Sequence, residues 1–178
     1  VVARESNLKQ LKELVDRKDG FLIVDEIYQG INLGNRMYES ALAVDEQIYI
    51  LNSFSKYYAM TGWRLGWVVV PSKTAEHFTR LAQNIFLAPN TISQYAALEA
   101  FNEQCLAIHE DRVQIINQRI EVLCQGLLDQ GFTIPVKPQG GFYVFVDISH
   151  TGLDSHDFCL EMLVEHGVAI TPAHDFSD

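Results

Sequence analysis

One continuous apolar run restricts the fold of this chain more than any other feature of its sequence. The run Phe21-Leu22-Ile23-Val24 contains no polar residue and ends at Asp25. A strand without polar alternation is typical of a parallel sheet that is covered on both faces. Two more strands are predicted from residue composition, over about 47–51 and 65–70. The sequence therefore predicts a sheet whose first strand is buried on both sides.

Helical patterns separate and follow these strands. Apolar residues recur at helical spacing in four stretches, and Ser6 and Gly20 are the expected cap and stop of the first of them. The predicted helices cover about residues 7–18, 72–86, 94–130 (with a kink or break near 103–110) and 155–165. Alternating helices and strands predict an α/β protein. Further short strands are predicted at 132–136, 142–146 and 168–171.

Composition and charge exclude several classes of function. The chain has 178 residues, 48% of them hydrophobic, and a formal net charge of −10. A strongly acidic chain disfavours binding to nucleic acid or to an anionic membrane, so neither partner is expected. The three cysteines, Cys105, Cys124 and Cys159, form no CxxC pair, and this predicts no zinc site, no other metal site and no disulfide framework. A reducing, cytoplasmic setting is expected.

The segment SFSKYYAMTGWRLGW, residues 53–67, follows the second predicted strand and contains two cations but no acid. An amine that is held neutral can attack a carbonyl and form a Schiff base, so Lys56 is a candidate nucleophile. Two hydroxyls and a guanidinium make a phosphate site, so Ser53, Ser55 and Arg64 are candidate phosphate ligands. Asp25 could pair with a pyridinium nitrogen. A lysine, an aspartate and a phosphate cup together are the arrangement expected of pyridoxal phosphate enzymes.

Each of these residues also has a simpler interpretation. Lys56 could be a solvated strand end, and the two serines could be ordinary turn residues. Arg64 could pair with a carboxylate or extend along the surface. Asp25 and Glu26 could be a helix N-cap or a pair of metal ligands. The combination of these residues, rather than any one of them, favours a cofactor site.

Three segments resemble a known family: FLIVDEIYQGI, NSFSKYYAMTGWRLGWVVVP and PQGGFYVFVDIS. They are similar, in this order, to the class I/II (fold-type I) pyridoxal-phosphate-dependent aminotransferases. The resemblance implies that Lys56 binds pyridoxal 5'-phosphate and shuttles a proton, with Asp25 on the ring nitrogen and Tyr28 on the ring hydroxyl. It also implies that the phosphate ligands are Ser53, Ser55 and Arg64. Gly141 would line the substrate side or form a β-bulge.

The resemblance also implies an architecture. Residues 1–112 would be the second half of a large cofactor-binding domain, with a mixed, mostly parallel sheet and helices on both faces. Residues 113–178 would be part of a smaller α+β C-terminal domain. Family members carry further segments before Val1 and after Asp178. The chain is therefore expected to be a fragment that alone binds cofactor poorly and is inactive.

The implied reaction transfers an amino group between an amino acid and a 2-oxo acid, in a homodimer. Three alternatives stay open from the sequence. A pyridoxal phosphate lyase acting on a C–S bond shares these residues, an aminotransferase-like sensor domain of a transcription regulator would carry a DNA-binding domain elsewhere, and a degenerate structural half-domain would bind no cofactor.

Overall fold

A computed structural model describes residues 3–34 and 38–176. Its sheet has three strands in the order β1 (Ile23–Asp25), β2 (Tyr49–Ser53) and β3 (Gly66–Val69). β1 runs parallel to β2, with Asp25 opposite Leu51, and β3 runs antiparallel to β2, with Ser53 opposite Gly66. The α/β class is therefore confirmed. The sheet is mixed, as expected, but its two described strand pairings are one parallel and one antiparallel rather than mostly parallel.

In residues 3–34 and 38–176, five α-helices accompany the sheet. They are α1 (Glu5–Asp16), α2 (Ser72–Ile85), α3 (Thr91–Glu99), α4 (Glu103–Asp129) and α5 (Ser155–His166). The long helical stretch is thus broken between α3 and α4, which confirms the predicted break, although it lies at residues 100–102, just before the predicted range of 103–110. Ser6 does not cap α1, because the helix already begins at Glu5 and its N-cap residue is Arg4. None of the helices in the described ranges combines the length and apolarity needed to cross a bilayer.

Two buried clusters hold the N-terminal elements together. In the first, Leu8 of α1 packs with Ala41 and with Ile48 and Ile50 of the β2 region. The second cluster is built from Phe54, Met60, Ala97 and Ala100, so it joins the segment after β2 to α3. The segment that follows β2 is therefore anchored on both sides by apolar burial, the main driving force of folding.

The prediction that β1 is buried on both faces is wrong for the described chain. Ile23 is 52% exposed, whereas Val24 is partly buried and packs against the first cluster. β1 is the edge strand of the sheet, and it pairs only with β2 among the described residues. An apolar run thus indicated a strand correctly but did not reveal how much of it this chain covers.

The chain divides into two compact units. The first contains the residues up to Arg119 together with Pro138–Phe142, and the second contains Ile120–Lys137 and the residues from Tyr143 onward. The predicted strands at 132–136, 142–146 and 168–171 are not found in the described chain; in this part of it one isolated bridge joins Thr133 to Asp147. The predicted domain boundary at 112/113 stays a prediction, because a compact unit defined by contacts is not a domain that folds alone.

Gly62 and Gly66, which stand on either side of Arg64, provide a test of the packing between β3 and β2. A Cβ at Gly66 would lie 2.7 Å from the Asn52 carbonyl oxygen, whereas a Cβ at Gly62 would meet nothing within 4 Å. We expect Gly66→Ala to lower the free energy of unfolding by about 1–3 kcal/mol, because a backbone atom must move. Gly62→Ala should change it by less than about 0.5 kcal/mol. Equilibrium denaturation of both variants measures the difference, and equal effects would contradict the packing at β3.

Candidate active site

Three strand ends meet at one edge of the sheet. β1 and β2 are parallel, so their carboxyl ends, at Asp25 and Ser53, lie on the same side. β3 is antiparallel, so its first residue, Gly66, returns to that edge directly after Arg64. Open α/β sheets bind ligands outside the carboxyl ends of their strands. This edge is therefore the candidate active site.

Lys56 lies beside a pair of aromatic rings at this edge. Its Nζ atom is 5.5 Å from the centroid of the Tyr28 ring and 5.5 Å from that of the Phe142 ring. The two rings meet edge to face, with centroids 5.2 Å apart. An ammonium at this distance from a ring face is attracted by the ring quadrupole. The structure thus brings together two of the predicted residues, Lys56 and Tyr28, and adds Phe142, which the sequence reasoning missed.

Phe142 reaches the site through the glycine pair that precedes it. Gly140 forms a bridge with Asn32, and the Gly141 amide donates to the Ile31 carbonyl at 2.8 Å. Gly141 has φ +71°, and a Cβ there would lie 3.4 Å from the Tyr28 ring. A left-handed backbone in contact with an aromatic ring explains why glycine occupies this position. These contacts place Gly141 beside Tyr28; its assignment to the substrate side stays a prediction.

The hydroxyls of Ser53 and Ser55 face each other, with 2.9 Å between their oxygens. Ser53 has one hydroxyl proton but two acceptors within reach, namely Ser55 Oγ and the Leu65 carbonyl at 3.1 Å. Its Oγ also accepts the Ser55 amide proton at 3.0 Å. Ser55 is 8% exposed, so its hydroxyl sits in a largely buried position. An anion would compete with these acceptors for the Ser53 proton, and the convergence of the two hydroxyls is the feature that suits them to bind one anion together.

Arg64 is connected to Ser55 through Thr61. The Thr61 hydroxyl donates to the Ser55 carbonyl at 2.5 Å, and Arg64 Nη1 donates to the Thr61 carbonyl at 3.1 Å. Arg64 has a left-handed backbone, with φ +54°, as Ala59 does earlier in the same segment. Its guanidinium is exposed and forms no ion pair with a carboxylate in the described chain. The alternative in which Arg64 pairs with a carboxylate is therefore not observed.

Asp25 is exposed, and its Oδ1 accepts the Ile27 amide proton at 2.9 Å. It caps the turn after β1 in this way, although the strand before it is apolar. Oδ2 forms no hydrogen bond within the described ranges, and Asp25 has no bond or ion pair there with Lys56, Ser53 or Arg64. The residue is placed at the same edge, with one carboxylate oxygen available.

These residues fit pyridoxal phosphate by the chemistry of their donors and by position. Lys56 supplies an amine next to Tyr28, the paired serines and Arg64 supply donors for a phosphate, and Asp25 supplies a free carboxylate oxygen at the same sheet edge. Besides Phe142 and Thr61, the sequence reasoning missed Asn52, whose Nδ2 donates to Gln29 Oε1 at 3.2 Å. The position of Asn52 at the end of β2 was the only signal for it.

An aromatic cluster supports the segment that carries Lys56. Tyr57 and Tyr58 meet edge to face at 5.0 Å, and both rings contact His109 of α4. Burial raises the pKa of Tyr58. Burial and the Glu110 carboxylate, which accepts the Tyr57 hydroxyl proton, hold the pKa of Tyr57 above its ordinary value. Burial, followed by the nearby Arg112 guanidinium, lowers the pKa of His109.

Comparison with known proteins finds relatives that are named aminotransferases. A family model described as "Aminotransferase class I and II" matches residues 1–177. The chain is 37% identical over 90% of its length to the valine–pyruvate aminotransferase of Mycobacterium tuberculosis, and 32% identical over 99% of its length to a probable N-acetyl-LL-diaminopimelate aminotransferase of Bacillus subtilis. It spans only 42% and 44% of these relatives. A crystal structure of an aminotransferase from Mycobacterium tuberculosis matches 99% of the chain, with a TM-score of 0.92 and 35% identity, and the chain covers 46% of it.

The lowered pKa of His109 predicts a pH-dependent stability. Because the fold lowers this pKa from 6.5, the contribution of His109 is complete above pH 6.5 and is lost as the pH falls below it. We expect the free energy of unfolding to fall by up to about 1.4 kcal/mol per pH unit from this residue. Denaturation of the wild type and of His109→Gln between about pH 5 and pH 8 isolates its share. Parallel pH profiles for the two proteins would contradict the prediction.

Proposed function

The chain belongs to the class I and II aminotransferase family, and on this premise we propose that the protein transfers an amino group between an amino acid and a 2-oxo acid. The cofactor would be pyridoxal 5'-phosphate bound to Lys56. The observation that carries the proposal is the position of Lys56 Nζ, 5.5 Å from the Tyr28 ring, at the edge where β1 and β2 end. The ring contacts restrain this amine at the edge of the sheet where a ligand is expected to bind, and such a position is suited to chemistry.

Lys56 would have two roles. Its amine would attach covalently to the cofactor, which when bound supplies an aldehyde and a ring that withdraws electrons from the substrate. When a substrate amine displaces it, Lys56 Nζ would take the proton from the substrate α-carbon and later return it. Tyr28 and Phe142 support both roles, because their rings restrict where the flexible lysine side chain can place its nitrogen.

Asp25 and Tyr28 would orient the ring of the cofactor. The available oxygen of Asp25 would bond the ring nitrogen, and the negative charge would favour protonation of that nitrogen. The Asx turn to Ile27 supports this role, since it fixes the carboxylate through its other oxygen. Tyr28 would donate to the ring oxygen.

Ser53, Ser55 and Arg64 would bind the phosphate. The two hydroxyls converge, and the hydrogen bonds through Thr61 restrain the arginine relative to Ser55. A phosphate would accept one proton from each serine and a forked pair from the guanidinium. Charge supports the assignment too, because in a chain of net charge −10 the segment at residues 53–67 contains cations and no acid.

The substrates are proposed as a class only, since the names of the two relatives refer to different amino acids. The homodimer, the cytoplasmic location, the lack of a nucleic-acid or membrane partner and the inactivity of the 178-residue chain alone stay predictions from the sequence. Transfer is separated from C–S lysis by the products: transfer gives a new amino acid and a 2-oxo acid, whereas lysis releases a thiol together with ammonia and a 2-oxo acid.

Replacement of Lys56 tests the attachment point. In protein expressed from the complete open reading frame, Lys56→Ala should abolish the adduct that borohydride fixes with pyridoxal 5'-phosphate, because the nucleophilic amine is removed. Peptide mapping of the reduced protein gives the modified residue. Lys73→Ala, which removes an exposed lysine of α2, should leave the adduct unchanged. An adduct mapped to another lysine in the wild type would refute the assignment.

Replacement of Asp25 tests the ring partner. Asp25→Ala should slow exchange of the substrate α-proton by more than about tenfold, or about 1.4 kcal/mol in activation free energy. The affinity for pyridoxal 5'-phosphate should change less, because the phosphate contacts remain. NMR detection of α-proton exchange in deuterated water measures the rate, and Asp111→Ala on the exposed surface of α4 is the control. An unchanged rate in Asp25→Ala would remove this residue from the mechanism.

A further inference from the structure

Tyr57, the residue after Lys56, contacts two other segments of the first compact unit. Its hydroxyl donates to Glu110 of α4, and its ring lies 5.3 Å from that of His109 on the same helix. The Tyr57–Glu110 bond is a charge-assisted hydrogen bond, which is stronger than a neutral one. It crosses between elements that are far apart in sequence. The segment that carries Lys56 is thus tied to α4 immediately beside the lysine.

The ring of Tyr57 also fixes the turn that carries Tyr28. Gly30 has φ +95°, and a Cβ there would lie 2.6 Å from Cδ2 of Tyr57. The backbone of this turn therefore approaches the ring more closely than any other residue type would allow. Since Tyr28 stands two residues before Gly30 and Lys56 one residue before Tyr57, the contact sets the spacing of the two segments. The Lys56 Nζ to Tyr28 distance depends on that spacing.

We propose that Tyr57 and Glu110 are a positioning pair, which holds Lys56 at its place beside Tyr28 by clamping the lysine segment between α4 and the turn at Gly30. The inference rests on the proposed function, because the position of Lys56 matters only if its amine reacts. Tyr57 itself touches no reacting atom. Its hydroxyl proton is committed to Glu110, and its raised pKa keeps that proton in place at neutral pH.

Substitutions at the pair are tested by cofactor attachment rather than by activity. Pyridoxal 5'-phosphate is titrated by visible absorbance into protein from the complete open reading frame, and the adduct at residue 56 is fixed with borohydride and mapped. We expect Tyr57→Phe and Glu110→Ala each to weaken binding roughly 3- to 10-fold, the range for loss of one hydrogen bond. The double variant should be no weaker than either single one, because both remove the same bond.

Two further variants separate positioning from folding. Glu110→Gln keeps an acceptor oxygen and should restore binding to within about twofold of the wild type. Tyr58→Phe removes the neighbouring hydroxyl but keeps the ring and its contacts with Tyr57 and His109, and this variant should bind as the wild type does. The free energy of unfolding without cofactor is measured for each variant. If Tyr57 and Glu110 had a purely structural role, their substitutions would lower the free energy of unfolding without changing the affinity for the cofactor.

Several results would overturn the proposal that Tyr57 and Glu110 position Lys56. They are equal binding by Tyr57→Phe and Tyr58→Phe, binding by Glu110→Gln as weak as that of Glu110→Ala, or additive losses in the double variant. A wild-type protein that forms no adduct at residue 56 would overturn the proposed function and this inference with it. A wild-type adduct with unaltered affinity in Tyr57→Phe would overturn the inference alone.

Discussion

The parallel pairing of β1 with β2 is the constraint on which the rest of the site depends. It puts the carboxyl ends of both strands at one edge, so that the turn after Asp25 and the segment after Ser53 start side by side. The antiparallel return of β3 then brings Arg64 to the same edge. A shift of one residue in this register would turn every side chain of a strand to the opposite face. The burial of Ile50 in the first core cluster opposes such a shift, because it would expose a fully buried side chain.

Much of this arrangement could be predicted from the sequence, because local patterns carry it. The apolar run before Asp25 indicated a strand, and the segment around Lys56 indicated a ligand site by its combination of cations and hydroxyls. Ser53 and Ser55 were candidates because of their residue type and their place after a predicted strand, and their hydroxyls converge in the turn that follows β2. These inferences needed no knowledge of long-range contacts. The same holds for the break between α3 and α4, where the apolar phase drifts.

Contacts between distant segments could not be predicted in this way. Phe142 reaches Lys56 only because the Gly141 amide docks on Ile31, and nothing in the pattern around residue 142 indicates that docking. The exposure of Asp25 was also missed, because an apolar strand does not show which of its faces the chain covers. The left-handed backbone of Arg64 could not be predicted either, because glycine is the residue type that usually adopts this conformation, and both Gly62 and Gly66 are nearby.

Aromatic contacts, rather than ion pairs, determine where the lysine lies, and this follows from the distribution of charge. The chain is strongly acidic, yet Lys56 forms no ion pair with any described residue, while its nitrogen contacts two rings. A carboxylate in contact would stabilise the charged ammonium and oppose its use as a nucleophile. Glu110 of α4 accepts a hydrogen bond from the Tyr57 hydroxyl instead. The carboxylate that restrains this segment therefore belongs to α4 and is bound to the hydroxyl of Tyr57, the residue after the lysine, so that it holds the segment without forming an ion pair with the amine.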